Sequence, residues 1–263
     1  MYRNAQAPSL KVPRTLLRGV FVFIMGFQLA LACGAAEIVA LTSNASFTAM
    51  SELGPLFEKA TGHKVHLRFS QNPILKQQVE SGAEFDLIVI EPEMLDDLAK
   101  QGRVSREARA NLARVGMGLV AKGGSPAQDT SSAEAFKKVL RDAHSIAYSG
   151  DGFSGTVFLR TLDKLQIRQE LEPRLKGVVG RAVQPLVAAG EFQFYAGPVS
   201  TPAPGTQLVG HFPEELQTYI GISVALSSTP RERQAALAFL DFLRGPEAAA
   251  TFARKGFLKA PPP

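Results

Sequence analysis

Three short segments concentrate side-chain hydroxyls and amides: Ser43-Asn44-Ala45-Ser46, Ser70-Gln71-Asn72-Pro73 and Ser149-Gly150-Asp151-Gly152-Phe153-Ser154-Gly155-Thr156. Each stands between an apolar run and a stretch of helical periodicity. The first N–H groups of a helix have no partner within it, and the helix dipole places partial positive charge there. Hydroxyls and amides around such a start suit a bound anion without any Lys or Arg. The candidate ligand set is therefore Ser43, Asn44, Ser46, Ser70, Gln71, Asn72, Ser154, Gly155 and Thr156. The glycines of the third segment would let backbone N–H groups approach a ligand closely. The competing structural role is helix capping for Ser46, Ser70 and Asn72.

A second set has side chains that move protons. Glu91, Asp151, His211 and Tyr195 are the acid–base groups expected near the same loops. Chemistry from them would be general acid–base proton transfer. A carboxylate beside a bound anion costs free energy unless it is protonated or turned away. Other chemistries lack their residues. His63, His66, His144 and His211 are scattered at spacings unsuited to a metal, and Cys33 is the single cysteine, so no disulfide and no cysteine nucleophile is expected. No nucleophile elbow, zinc signature or dinucleotide fingerprint is present, and no Gly-Lys-Ser/Thr follows the third segment. Neither cofactor nor metal is expected.

The elements that position these loops alternate. Ile38–Leu41 predicts a strand, and Phe47, Met50, Leu53, Leu56, Phe57 and Ala60 a helix stopped by Gly62. Val65, Leu67 and Phe69 alternate with polar residues as in a half-buried strand. A helix over about 74–81 follows, and Phe85–Ile90 is a near-continuous apolar run typical of a central parallel strand. The middle of the chain repeats the design. Strands are expected at 116–121, 145–148 and 192–195, with helices after 136, after 157 and over 182–189. Tyr219–Leu226 returns as a strand before the helices 233–244 and 246–254. Such alternation means parallel sheets with right-handed crossovers, whose ligands sit at the carboxyl ends of the strands.

The N-terminus supplies the compartment. Residues 1–18 hold Arg3, Lys11, Arg14 and Arg18 with no acidic residue, and an apolar run of about 14 residues leads to Gly34-Ala35-Ala36. A membrane-spanning helix needs roughly 20 apolar residues, so residues 1–36 read as a signal peptide and the protein as periplasmic. Leu31-Ala32-Cys33-Gly34 also resembles a lipobox, leaving a lipoprotein anchored through Cys33 as the alternative. All four basic residues of that segment leave with it, so most of the net +5 belongs to the signal. The nearly neutral remainder carries no basic stripe for nucleic acid.

The residues then become familiar as a set. Phe57-Glu58-Lys59-Ala60-Thr61-Gly62, Gln78–Leu87, Gly190–Tyr195 and Phe239–Ala248, in that order, resemble the molybdate-binding proteins of ABC importers across 37–260. The resemblance implies a type II periplasmic-binding fold: two α/β lobes joined by two crossovers with a ligand cleft between them. Lobe 1 would hold 37–117 and 221–263, and lobe 2 would hold 118–220. It further implies a small anionic ligand, a monomer and an ABC permease as partner. In that family the first two loops give hydroxyls to the oxyanion, and a lobe 2 tyrosine falls on Tyr195, whose competing structural role is core packing. Pro73 and the two amides before it depart from the family's run of small hydroxyl residues, so an organic acid or other anion is expected rather than molybdate. Some proteins of this fold resemble aconitate isomerase, which makes a periplasmic isomerase of a small tricarboxylate the alternative. A ligand-binding sensor needs the same clamp.

Overall fold

The computed structural model describes residues 34–179, 181–200 and 202–260. Residues 1–33, including the basic segment and Cys33, lie outside the described residues, so the signal and lipobox expectations stay at the level of the sequence.

The first half of lobe 1 reads β1 (Glu37–Ser43), α1 (Phe47–Thr61), β2 (Lys64–Ser70), α2 (Asn72–Glu80), β3 (Leu87–Ile90), α3 (Pro92–Lys100) and β4 (Val104–Val115). The chain then enters a second sheet through β5 (Met117–Lys122), α4 (Ala133–Asp142), β6 (Ile146–Ser149), α5 (Phe153–Lys164), α6 (Arg168–Leu171), β7 (Leu175–Val178), α7 (Val183–Ala189), β8 (Phe194–Pro198) and β9 (Thr206–His211). It returns to the first sheet with β10 (Ile220–Ser227), α8 (Arg233–Arg244), α9 (Pro246–Arg254) and β11 (Leu258–Lys259). The strand orders are β11-β4-β10-β3-β1-β2 and β7-β6-β8-β5-β9.

Both sheets follow one plan. β2, β1 and β3 run parallel, as do β7, β6 and β8, and each trio is flanked by an antiparallel strand, β10 or β5. Register sets the loops level: Ser43 pairs with Ser70, so the segments after β1 and β2 leave the sheet side by side. β3 is buried at all four positions, as its unbroken apolar run requires. α1 sends Met50, Leu53 and Phe57 into the core and ends at Gly62, whose φ of 79° an L side chain adopts reluctantly.

The two crossovers meet. One is Gly116, between β4 and β5; the other is 212–219, between β9 and β10. Gln217 ties them together, accepting from Met117 N at 2.7 Å and donating to Met117 O at 3.0 Å and Phe212 O at 3.2 Å. A buried carboxylate braces lobe 1 in the same spirit. Asp86 is 1% exposed and accepts from the backbone N–H groups of Val39, Arg231 and Glu232 at 2.7–3.1 Å. Three donors satisfy most of what its charge demands away from water.

Three elements differ from expectation. β4, β7 and β9 carry no apolar run that marks them as strands: β4 reads Val-Ser-Arg-Glu-Ala-Arg-Ala-Asn-Leu-Ala-Arg-Val. Its position beside β10, rather than its own composition, makes it a strand. Among the described residues no helix is long and apolar enough to cross a membrane.

Candidate functional site

Loops from the ends of both parallel trios enclose a cavity of about 750 Å³. Lobe 1 contributes the turn Ser43–Ala45, the start of α1 (Phe47, Thr48, Ser51), the start of α2 (Gln71, Asn72) and Glu91 before α3. Lobe 2 contributes Ser149 at the end of β6, Phe153 and Ser154 opening α5, Tyr195 on β8, and Arg181 and Gln184 around the start of α7. Phe47, Phe153, Pro198 and Ile220 give much of the wall an apolar character.

The hydroxyl and amide loops divide into lining and bracing residues. Ser43, Asn44, Gln71, Asn72, Ser154 and Tyr195 line the cavity. Ser46 does not: it is fully buried and donates its hydroxyl to Ser43 O at 2.9 Å, bracing the turn from behind. Ser70 is half-buried at the end of β2 and Thr156 is exposed on α5; neither lines the cavity. Gly155 serves packing rather than ligand approach. A Cβ there would stand 1.8 Å from Ser149 O, so the missing side chain lets α5 close onto the end of β6.

The acid–base set separates in the same way. His211 ends edge strand β9, exposed and away from the cavity, because the β9 pairing with β5 places it at the second crossover. Asp151 sits behind the rim, accepting from Gln71 Nε2 at 3.1 Å and Ser149 Oγ at 3.3 Å. Tyr195 is 6% exposed, and burial pushes its hydroxyl up to about 12 while a hydrogen bond with Ser154 pulls the other way. It therefore stays a neutral donor. Its ring lies over Gly197, where a Cβ would stand 2.0 Å from ring carbon Cζ.

Glu91 is the exceptional group. It is 4% exposed, and Oε1 has no hydrogen-bond partner. Burial raises its carboxyl to about 7, Asn72 beside it lowers it in part, and the Glu93 charge adds to the rise. Asp86, equally buried, holds three N–H groups; Glu91 has no such set and keeps its proton instead.

Sequence reasoning missed the cations. Arg181 reaches from lobe 2 over the Phe47 ring of lobe 1, 3.7 Å from its centroid, with Phe69 at 5.8 Å. Lys255, after α9, also lines the cavity, but its ammonium pairs with Glu52 at 2.9 Å. Both lie in loops without periodicity, so no pattern in the chain announces them. Among the described residues no group of three His, Cys, Asp or Glu is arranged to hold a metal ion.

The chain as a whole is matched in known proteins. Residues 38–258 fit the family model of bacterial extracellular solute-binding proteins. The chain belongs to that family. It is 27% identical over 232 residues to an aconitate isomerase of a Pseudomonas species, covering 85% of this chain and 88% of that one. It is likewise 27% identical over 254 residues to a molybdate-binding protein of Rhodobacter capsulatus, covering 94% and 98%. Among solved structures, the periplasmic molybdate-binding protein of Azotobacter vinelandii superposes with a TM-score of 0.72 at 18% identity, over 85% of this chain and all of that one. The solute-binding protein thus has the type II periplasmic-binding fold of the molybdate-binding group.

Proposed function

We propose that this solute-binding protein captures a small organic anion in the interlobe cavity and delivers it to an ABC permease at the outer face of the cytoplasmic membrane. The observation that carries this reading is the convergence, in one cavity, of the starts of α1, α2 and α5 with the guanidinium of Arg181. Helix N-termini and a cation favour negative charge there. Apolar walls and a volume near 750 Å³ suit a ligand with a carbon skeleton. A bare tetrahedral oxyanion would leave much of that wall unfilled. The molybdate-binding relatives support the carrier class, and the periplasmic location follows the family together with the basic, apolar N-terminal segment. Tyr195 and Ser154 act as neutral donors from lobe 2, and Asn44, Asn72 and Gln71 orient the ligand from lobe 1.

The test is a thermal-shift screen of the purified protein against citrate, malate, succinate, phosphate, sulfate, molybdate and a neutral sugar. Ligand that binds only the folded state raises the melting temperature. A carboxylate is expected to give the largest rise, and a response confined to the sugar overturns the reading.

Glu91 favours one second reading, an isomerase. A carboxyl with one unpartnered oxygen that titrates near neutrality can take a proton from carbon and return it elsewhere. The aconitate isomerase relative supports this reading too. A proton-NMR time course with cis- and trans-aconitate separates the two, since a carrier leaves both spectra unchanged.

A further inference from the structure

Four buried polar atoms of the cavity residues lack any hydrogen-bond partner: Asn44 Oδ1, Thr48 Oγ1, Asn72 Oδ1 and Glu91 Oε1. All four belong to lobe 1. Among the described residues just one other buried side-chain atom, Arg114 Nε, shares that state. Buried polar atoms are almost always satisfied, so their collection in one wall marks the surface that a ligand completes.

The elements around Glu91 supply no cation to it. Its own helix adds Glu93. From α2, Lys76 is engaged by Asp97 at 3.1 Å and Glu80 at 3.8 Å; from β4, Arg109 is engaged by Asp96 at 2.6 Å, Arg106 by Ala99 O at 3.5 Å, and Arg114 lies over the Tyr219 ring, 4.3 Å from its centroid. β10 carries no ionisable residue. Elsewhere around the cavity, Lys255 is paired with Glu52, Arg181 lies over Phe47, and Tyr195 is bonded to Ser154.

We propose that Glu91 and one carboxylate of the ligand share a proton in this cavity, so that the site selects a small di- or tricarboxylate and takes up a proton as it fills. The inference rests on the anion-capture reading above and names its ligand class. An ionised Glu91 and an anionic ligand in one water-poor cavity repel each other. A single proton between them replaces that repulsion with an O–H···O⁻ bond, among the stronger hydrogen bonds. A second carboxylate is what the helix N-termini and Arg181 would hold. Sulfate, a much weaker base than a carboxylate, is a poor partner for the shared proton, and molybdate leaves the apolar wall of Phe47, Phe153 and Ile220 uncovered. Below about 7 the empty site already holds the proton. Above it, binding draws one from solvent, and affinity falls by about tenfold per pH unit.

The experiment is calorimetric titration of the purified protein with citrate, trans-aconitate, succinate, sulfate and molybdate near pH 6 and near pH 8. Two buffers of different ionisation enthalpy count the protons. The expected result is carboxylate binding with uptake approaching one proton per ligand at the higher pH and little at the lower. Glu91→Gln keeps a neutral donor, so its affinity should hardly change between the two pH values. At the higher pH it should bind about tenfold more tightly than the wild type. Carboxylate binding without proton uptake, or uptake that persists in Glu91→Gln, overturns the proposal while leaving anion capture standing. So does tighter binding of sulfate or molybdate than of any carboxylate. Failure of every anion to bind overturns anion capture itself. The wild-type proton count stands whether or not the variant folds.

Discussion

Two carboxylates of lobe 1 show how partners, rather than burial alone, decide the charge of a group. Asp86 and Glu91 bracket β3 and are almost equally hidden, at 1% and 4% exposure. Asp86 gathers three backbone donors, whereas Glu91 has an oxygen with none. The consequence for stability has a definite sign. The folded chain holds the Glu91 proton up to about 7, against 4.5 for an ordinary glutamate. Between those values the folded state binds more protons than the unfolded state, so stability falls as pH rises and levels off above about 7. The loss is on the order of 3 kcal/mol. Denaturant melts of ligand-free protein across that window should show this decline in the wild type and not in Glu91→Gln. A variant as pH-sensitive as the wild type would show that another group titrates.

At the scale of elements, glycine decides how closely the site can be assembled. Gly155 lets α5 seat against the last carbonyl of β6, with room for no Cβ between them. Gly155→Ala must push the start of α5 outward, carrying Phe153 and Ser154 with it. The expected cost is about 1–3 kcal/mol of stability, typical of overpacking, with weakened ligand binding read in the same samples by calorimetry. Ser46→Ala should separate bracing from binding. It removes a buried bond to Ser43 O, costs about 1 kcal/mol, and acts on ligand only through the turn. The alternation of elements was legible because α1 and α8 carry strong helical periodicity and β1 and β3 are short apolar runs. The loops were legible too, since a strand ending in Ser-Asn or Ser-Gln-Asn states where the sheet stops. What could not be read was direction. Ser46 and Ser43 are alike in sequence, and only the 3₁₀ turn between them sends one behind the loop and the other into the cavity. β4 was hidden because its strand state depends on its neighbours, and Arg181 because it acts across the gap between lobes.

For the molecule as a whole, the contacts between lobes define a closed clamp. Gln71 of α2's N-cap donates across the mouth to Ser149 Oγ at 3.3 Å and Asp151 Oδ1 at 3.1 Å. Arg181 covers Phe47 from the other lobe. Gln217 ties the two crossovers together through Met117 and Phe212. A ligand shifts such an equilibrium only through contacts that differ between the open and closed forms. The bonds of Gln71 join lobe 1 to lobe 2, so separating the lobes must break them, and its loss should act on escape rather than on entry. Gln71→Ala is expected to speed dissociation of a bound carboxylate about tenfold, the effect of losing a hydrogen bond to a charged group. The association rate and the melting temperature of the empty protein should change little. Gln217→Ala should do the reverse: it frees backbone groups of Met117 and Phe212, lowering the melting temperature whether or not ligand is present. Stopped-flow dissociation and paired thermal melts distinguish the two. If Gln71→Ala leaves the dissociation rate unchanged, the bonds across the mouth accompany closure without holding it, and the ligand, with Arg181 over Phe47, holds the lobes together.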